Sequence, residues 1–425
     1  TVSMLVLAPL PAAAAATCAT GAGAGAGAAV RVPPGLPWPQ LRYDPEQLAG
    51  VADGTGQRVA VVDSGVDPTH PQLAGAVAVG FDQLDPGGNG QLDCVGHGTA
   101  VASIIAARPV AGTGFRGLAP GATIVPVRVS ELRDGDVTGR ATTMRGLAQA
   151  MVLAVDAGAT VLNVSLVTTQ DDPAVRAAVG YAVAHDVVVV AAVGNGHASG
   201  DPTPYPAAYP GVIGVGAIGP DGARTPSSGI GPWVDLVAPG DQIVAATAGR
   251  GYATWTGTSF AAPFVAATAA LVRQHHPGLS AAGVADRLTA TARPATPQAA
   301  TQAAPQTAAQ AASTVAVTGY GAGVLDPYRA VTGPVATRSA AAGSVRVPAA
   351  AVGPSTAGVD AAARAARTRT MAIGIAVLCG CLTVLGAIAG TVLPRLATAR
   401  NARQTGGVRP DGRSGVHHPG ERVLR

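Results

Sequence analysis

The chain has 425 residues, 48% of them hydrophobic and only 3% aromatic, enough to bury one large core and leave residues over for appendages. It has no lysine, and residues 338–425 hold 12 Arg against 3 acids, net +9, which leaves 16 Arg against 21 acids, net −5, in residues 1–337. A slightly acidic body gives no basis for binding nucleic acid, which requires a basic face.

Residues 1–16 run from an apolar stretch (Met4, Leu5, Val6, Leu7) into an alanine run. This is the apolar core and small-residue cleavage region of a secretory signal peptide without its basic start, and export is the expectation. The other reading is a low-complexity N-terminus with no targeting role. Cys18 and Cys94 are isolated cysteines that in an exported chain most simply form a disulfide. Two unrelated thiols are the alternative, because sequence does not set connectivity. An N-terminal extension, residues 17–45, follows; Gly/Ala-rich and then proline-rich composition over 19–50 predicts an extended strap without a core of its own.

From Gln57 the pattern alternates. Apolar runs predict strands over 58–62, 123–129, 161–166, 187–193, 212–217 and 233–237, and longer periodic stretches predict helices over 99–107, 144–157 and 173–185. Continuously apolar strands separated by helices imply an α/β fold, a mostly parallel sheet with helices on both faces. The expected domain is 46–332, with a low-complexity Ala/Gln/Pro/Thr insert at 295–313.

Three breaks in the alternation carry polar groups. The first strand ends in Asp63-Ser64-Gly65-Val66-Asp67, an acid on the ligand side of an α/β sheet. Gly96-His97-Gly98-Thr99 opens a helix of small residues, with glycines leaving the imidazole accessible. Gly257-Thr258-Ser259-Phe260-Ala261-Ala262-Pro263 delivers a serine to the first turn of an apolar helix, where proline is tolerated and N–H dipoles face a developing negative charge. A capped core helix would explain the last segment alone. Acid, histidine and serine together are what acyl transfer by a nucleophilic hydroxyl requires. His70, His185, His197, His275 and His276 lack metal-ligand spacing, and no metal or other cofactor is expected. Asp67 reads as a turn residue or a calcium ligand.

In chain order these segments resemble the three signature segments of the subtilisin-like serine proteases. The resemblance extends over most of 45–332 and includes Gly117-Leu118-Ala119-Pro120-Gly121 and Leu236-Val237-Ala238-Pro239-Gly240. It implies a catalytic set of Asp63, His97 and Ser259, with Asn195 as oxyanion donor, and a peptide or protein substrate paired along Leu162, Asn163 and Ser165 with Gly194 nearby. Val167 and Thr168 stand where many members carry glycine, while Phe260 and Val193 read as packing variants.

After an Ala/Pro/Arg linker (333–370), residues 371–393 are apolar or small without a charge, long enough to cross a bilayer. The following 394–425 form a basic tail whose arginines favour a cytoplasmic C-terminus, placing the preceding domain outside a cell membrane. With Pro37-Trp38-Pro39-Gln40 and Asp44-Pro45-Glu46 in the extension, this layout resembles the mycosins, membrane-anchored proteases of actinobacterial type VII secretion. That resemblance implies contact with secretion-channel components. It leaves two expectations: a peptidase, or a subunit whose main role is assembly.

Overall fold

The computed structural model describes residues 18, 28–29, 35–132, 139–249, 251–295 and 319–334. The sequence-predicted signal segment, insert, linker, membrane span and basic tail lie outside these residues, except for residue 295 of the insert and 333–334 of the linker. Among the described residues, no helix is long and apolar enough to cross a membrane.

The extension supplies β1 (Ala28–Ala29), α1 (Trp38–Tyr43) and α2 (Pro45–Ala49). The two helices correct the expectation of an extended strap. Pro39 and Pro45 occupy first-turn positions, where a missing N–H breaks no intrahelical bond. Tyr43 and Leu48 are buried against the domain, Tyr43 edge-on to Phe264 at 5.7 Å, and Trp38 Nε1 donates to the Asp241 carbonyl at 3.0 Å.

The domain continues with β2 (Arg58–Asp63), β3 (Phe81–Asp82), α3 (His97–Ala106), β4 (Thr123–Arg128), α4 (Met144–Asp156), β5 (Val161–Val164), α5 (Pro173–Ala184), β6 (Val188–Ala192), β7 (Val212–Ile218) and β8 (Leu236–Pro239). After these come β9 (Ile243–Thr247), β10 (Gly251–Trp255), α6 (Thr258–His275), α7 (Ala281–Thr291) and α8 (Pro327–Thr332). Seven strands form one sheet in the order β3-β4-β2-β5-β6-β7-β8, with every pairing parallel. A parallel sheet is covered on both faces, and successive side chains of β2 go to opposite sides. Val59 and Val61 join a core with α3 and α6, whereas Ala60 and Val62 join one with α4 and α5. Helix α6 is buried almost throughout, and its many small positions let neighbours pack closely: Ala261, Ala262, Ala266, Ala267, Ala269 and Ala270 are all fully covered.

Other elements also depart from the sequence reading. The strand expected at 233–237 is found at Leu236–Pro239, because Val234 N donates to Gly231 O and holds the preceding residues in a turn. The antiparallel pair β9–β10, with β1 added to its free edge, was not anticipated. Nor was α7, capped by Ser280, whose side chain accepts from Gly283 N.

The chain crosses from β4 on one side of β2 to β5 on the other, so the strand order reverses at β2. Ligands of open α/β sheets bind beyond the carboxyl ends of the strands at such a point. A cleft of about 910 Å³ lies there, lined by residues that follow β4, β5 and β6 and by the start of α6.

Candidate active site

Asp63 is the last residue of β2 and is 1% exposed. His97 is the first residue of α3, two residues earlier than the predicted start of that helix, and its Nδ1 lies 2.7 Å from Asp63 Oδ1. Since a carboxylate can only accept, Nδ1 carries the proton, and Nε2 is the acceptor nitrogen of the neutral ring. Glycine makes this approach possible: a Cβ on Gly98 would stand 2.1 Å from the Gly65 carbonyl and 3.2 Å from Asp63 Oδ1.

A second buried carboxylate, absent from the sequence reading, sets the start of α3. Asp93 Oδ1 accepts from Ser64 Oγ (2.9 Å), Val95 N (3.1 Å) and Gly96 N (2.8 Å), and Oδ2 accepts from Thr99 N (2.9 Å) and Thr99 Oγ1 (2.6 Å). Ser64 Oγ in turn accepts from Gly98 N at 2.9 Å. Burial pushes the Asp93 carboxyl above its ordinary value despite these donors. An acid four residues before the histidine, at the mouth of a helix, was the available signal. Next to it, Cys94 is joined to Cys18 by a disulfide, with Cα atoms 5.3 Å apart.

Ser259 is the second residue of α6, and Gly257 before it has φ +144°, with N–H to the Gly240 carbonyl at 2.7 Å. A Cβ on Gly257 would stand 3.1 Å from Asn195 Nδ2, so only glycine lets the nucleophile turn pass the amide. Two reciprocal bonds lace the segments together: Thr258 N donates to Asn195 Oδ1, and Gly194 N donates to Thr258 Oγ1, each at 3.0 Å. Oδ1 is thus engaged by Thr258, which sets the amide's orientation, and Asn195 lines the cleft. Thr258 was not singled out from sequence, although it directly precedes the serine.

Ser165 lies beside the serine rather than only along a substrate path. Ser259 Oγ donates to the Ser165 carbonyl at 3.2 Å, Ser165 Oγ donates to the Ser259 carbonyl at 3.0 Å, and Asn163 Nδ2 donates to Ser165 Oγ at 2.9 Å. The structure therefore corrects two expected substrate contacts. Leu162 and Asn163 are fully buried within the sheet, Leu162 in the α4–α5 core and Asn163 behind Ser165, and neither lines the cleft. Ser165 and Gly194 do line it. Phe260 is 4% exposed and packs on His97 itself, ring centroids 4.9 Å apart, with Trp255 5.1 Å beyond.

The remaining candidates have local partners. Asp67 Oδ1 accepts from Thr69 N and Oγ1, and Oδ2 from Gly249 N, as a turn residue does. His70 is fully buried with Gln72 N donating to Nδ1, and His197 pairs with Asp201 at 2.9 Å. Among the described residues there is no group of three or more His, Cys, Asp or Glu arranged to hold a metal ion.

Comparison with known proteins gives the family. The model of the subtilase family, peptidase S8, matches residues 54–323, and the chain belongs to that family; in sequence and fold it is a subtilisin-like serine peptidase. Within the family it is related to the mycosins: it is 37% identical to mycosin-1 of Mycobacterium tuberculosis over 306 residues, covering 60% of this chain and 68% of that protein. A solved structure described as a serine protease MycP1, an essential component of the type VII (ESX-1) secretion system, aligns with TM-score 0.58 and 34% identity over 72% of this chain and 92% of that one. A thermophilic serine proteinase from a Bacillus species is 40% identical over 235 residues, 55% of this chain, and the match spans only 56% of that relative's length.

Proposed function

We propose that this chain is a membrane-anchored serine endopeptidase that hydrolyses peptide bonds through an acyl-enzyme and works with a type VII secretion system. The observation that carries the catalytic reading is the 2.7 Å bond from His97 Nδ1 to the buried Asp63, which leaves Nε2 as the basic nitrogen in the same cleft as Ser259. In this mechanism the Ser259 hydroxyl turns from the Ser165 carbonyl to His97 Nε2. His97 takes its proton as Oγ attacks the substrate carbonyl, and Asp63 stabilises the imidazolium. The N–H of Ser259 and Asn195 Nδ2 receive the oxyanion. His97 then gives its proton to the leaving amine, and water repeats the sequence to release the acyl group. The test is labelling of the full chain by a fluorophosphonate, expected in the wild type and lost in Ser259→Ala; a wild type that stays unlabelled would sink the reading.

Residues 371–393 are the proposed anchor, with the peptidase domain outside the cell and the basic tail in the cytoplasm. Protease protection of tagged termini in intact cells tests this orientation. The relative described as an essential component of a secretion system favours a second reading, in which the fold serves mainly in assembly. Secretion restored by Ser259→Ala in a deletion strain would favour assembly, and failure to restore it would favour proteolysis.

A further inference from the structure

The peptide groups on either side of His97 are held by one buried carboxylate, Asp93, which is not among the residues that line the cleft. Gly96 N donates to Asp93 Oδ1 directly at 2.8 Å, and Gly98 N reaches the same oxygen through Ser64 Oγ, in two steps of 2.9 Å. Glycine on both sides leaves the backbone of His97 free to drift, and Gly96 has φ +80°, so the hold has to come from these bonds. Thr99 N and Oγ1 close on Oδ2 two residues further along.

The same carboxylate also holds the segment that carries Asp63. Ser64, whose hydroxyl donates to Asp93, gives its own N–H to Asp63 Oδ1 at 2.7 Å, the oxygen that accepts from His97 Nδ1. Thr99 Oγ1 accepts from Asp67 N at 3.0 Å, at the far end of the turn that follows Asp63. Asp93 therefore ties the turn after β2 to the first turn of α3 at two points, Ser64 and Thr99, and the bond between Asp63 and His97 joins the same two segments. Each oxygen of Asp93 receives at least one backbone N–H: Val95 and Gly96 donate to Oδ1, and Thr99 donates to Oδ2. An amide in its place would meet a backbone N–H with its own NH2 whichever way it turned.

We propose that Asp93 is a positioning residue for the reaction: acting through Gly96, Ser64 and Thr99, it holds the His97 ring in line with Asp63 and so sets the rate of proton transfer from Ser259. This rests on the serine-peptidase reading above. A displacement of about 1 Å at a reacting group costs about 10²-fold in rate.

The experiment measures fluorophosphonate labelling per folded molecule of the full chain for wild type, Asp93→Asn, Asp63→Asn and the double variant. Asp93→Asn should label about 10²-fold more slowly than wild type. In the Asp63→Asn background the same substitution should cost less than about threefold, because the alignment it protects is already gone. Steady-state hydrolysis of p-nitrophenyl acetate should place the loss in kcat, with KM little changed. Labelling of Asp93→Asn within about threefold of wild type, an equal loss in both backgrounds, or a loss carried by KM alone would overturn the inference while wild-type labelling persists. A wild type that stays unlabelled overturns the peptidase reading, and this inference with it. Should Asp93→Asn fail to fold, Ser64→Ala decides by the same measurements: it cuts the link from Asp93 to Gly98 and should slow labelling by about tenfold, only while Asp63 is intact.

Discussion

Asp63 and Arg128 are register partners at the carboxyl ends of β2 and β4, and both are fully buried. The protein treats these two charges in opposite ways. Arg128 Nη1 donates to Asp82 and Asp85, each at 2.7 Å, and Nη2 pairs with Glu131. Burial alone would lower the guanidinium, and the three carboxylates more than reverse that. Asp63 instead engages one oxygen, which accepts from Ser64 N and His97 Nδ1, each at 2.7 Å, while among the described residues Oδ2 accepts no hydrogen bond. A charge surrounded by its opposites fixes architecture, here the loop from β4 along the cleft. A carboxylate with unused lone pairs can respond when a proton arrives on its neighbour.

The contrast can be broken by substitution. The largest effect is expected for Asp63→Asn: turnover should fall by about 10⁴-fold, because the imidazole loses its tautomer and its counter-charge, while thermal unfolding shifts little. A variant that keeps its turnover would remove Asp63 from the mechanism. Arg128→Met should do the reverse, lowering unfolding free energy in denaturant by about 3 to 5 kcal/mol, since three carboxylates lose their buried cation. Its turnover per folded molecule should fall far less than in Asp63→Asn, and if it falls as far, Arg128 is more than architecture. Asn195→Ala sharpens the chemical side: about 10²- to 10³-fold in kcat with KM little changed, read by steady-state kinetics.

The smallest effect belongs to the outer edge of the ion cluster. Arg140 is half exposed and donates to Asp85 Oδ1 at 2.6 Å, so Arg140→Ala should cost less than about 1 kcal/mol. Hydrogen bonds from Arg140 and then Arg128 hold the Asp85 carboxyl below its ordinary value. A depressed carboxylate contributes stability that is fully present above its unfolded pKa, about 4, and lost as pH falls through the folded value. The difference between wild type and Arg140→Ala should therefore be measurable by thermal unfolding at pH 6 and vanish in strong acid. A difference that grows toward acid would reverse the assigned sign.

Most of the sheet was legible because its strands are buried on both faces and read as unbroken apolar runs. What escaped depended on local geometry. The prolines of α1 and α2 suggested an extended strap because composition does not reveal that they fall in first turns. Asp93 went unseen because a lone acid in a loop has no periodicity, and only its five donors show what it does.

The sequence by itself determined the α/β class, the family and the three segments that carry acid, imidazole and hydroxyl, since each sits at an element terminus written in local residue types. The tertiary structure decided which groups meet. It put Leu162 and Asn163 inside the sheet, gave Asn195 its orientation through Thr258, and gathered five donors around Asp93. Those contacts join segments as far apart in sequence as Ala60 and Leu162, and such distances are set by how strands and helices pack and not by any one stretch of chain.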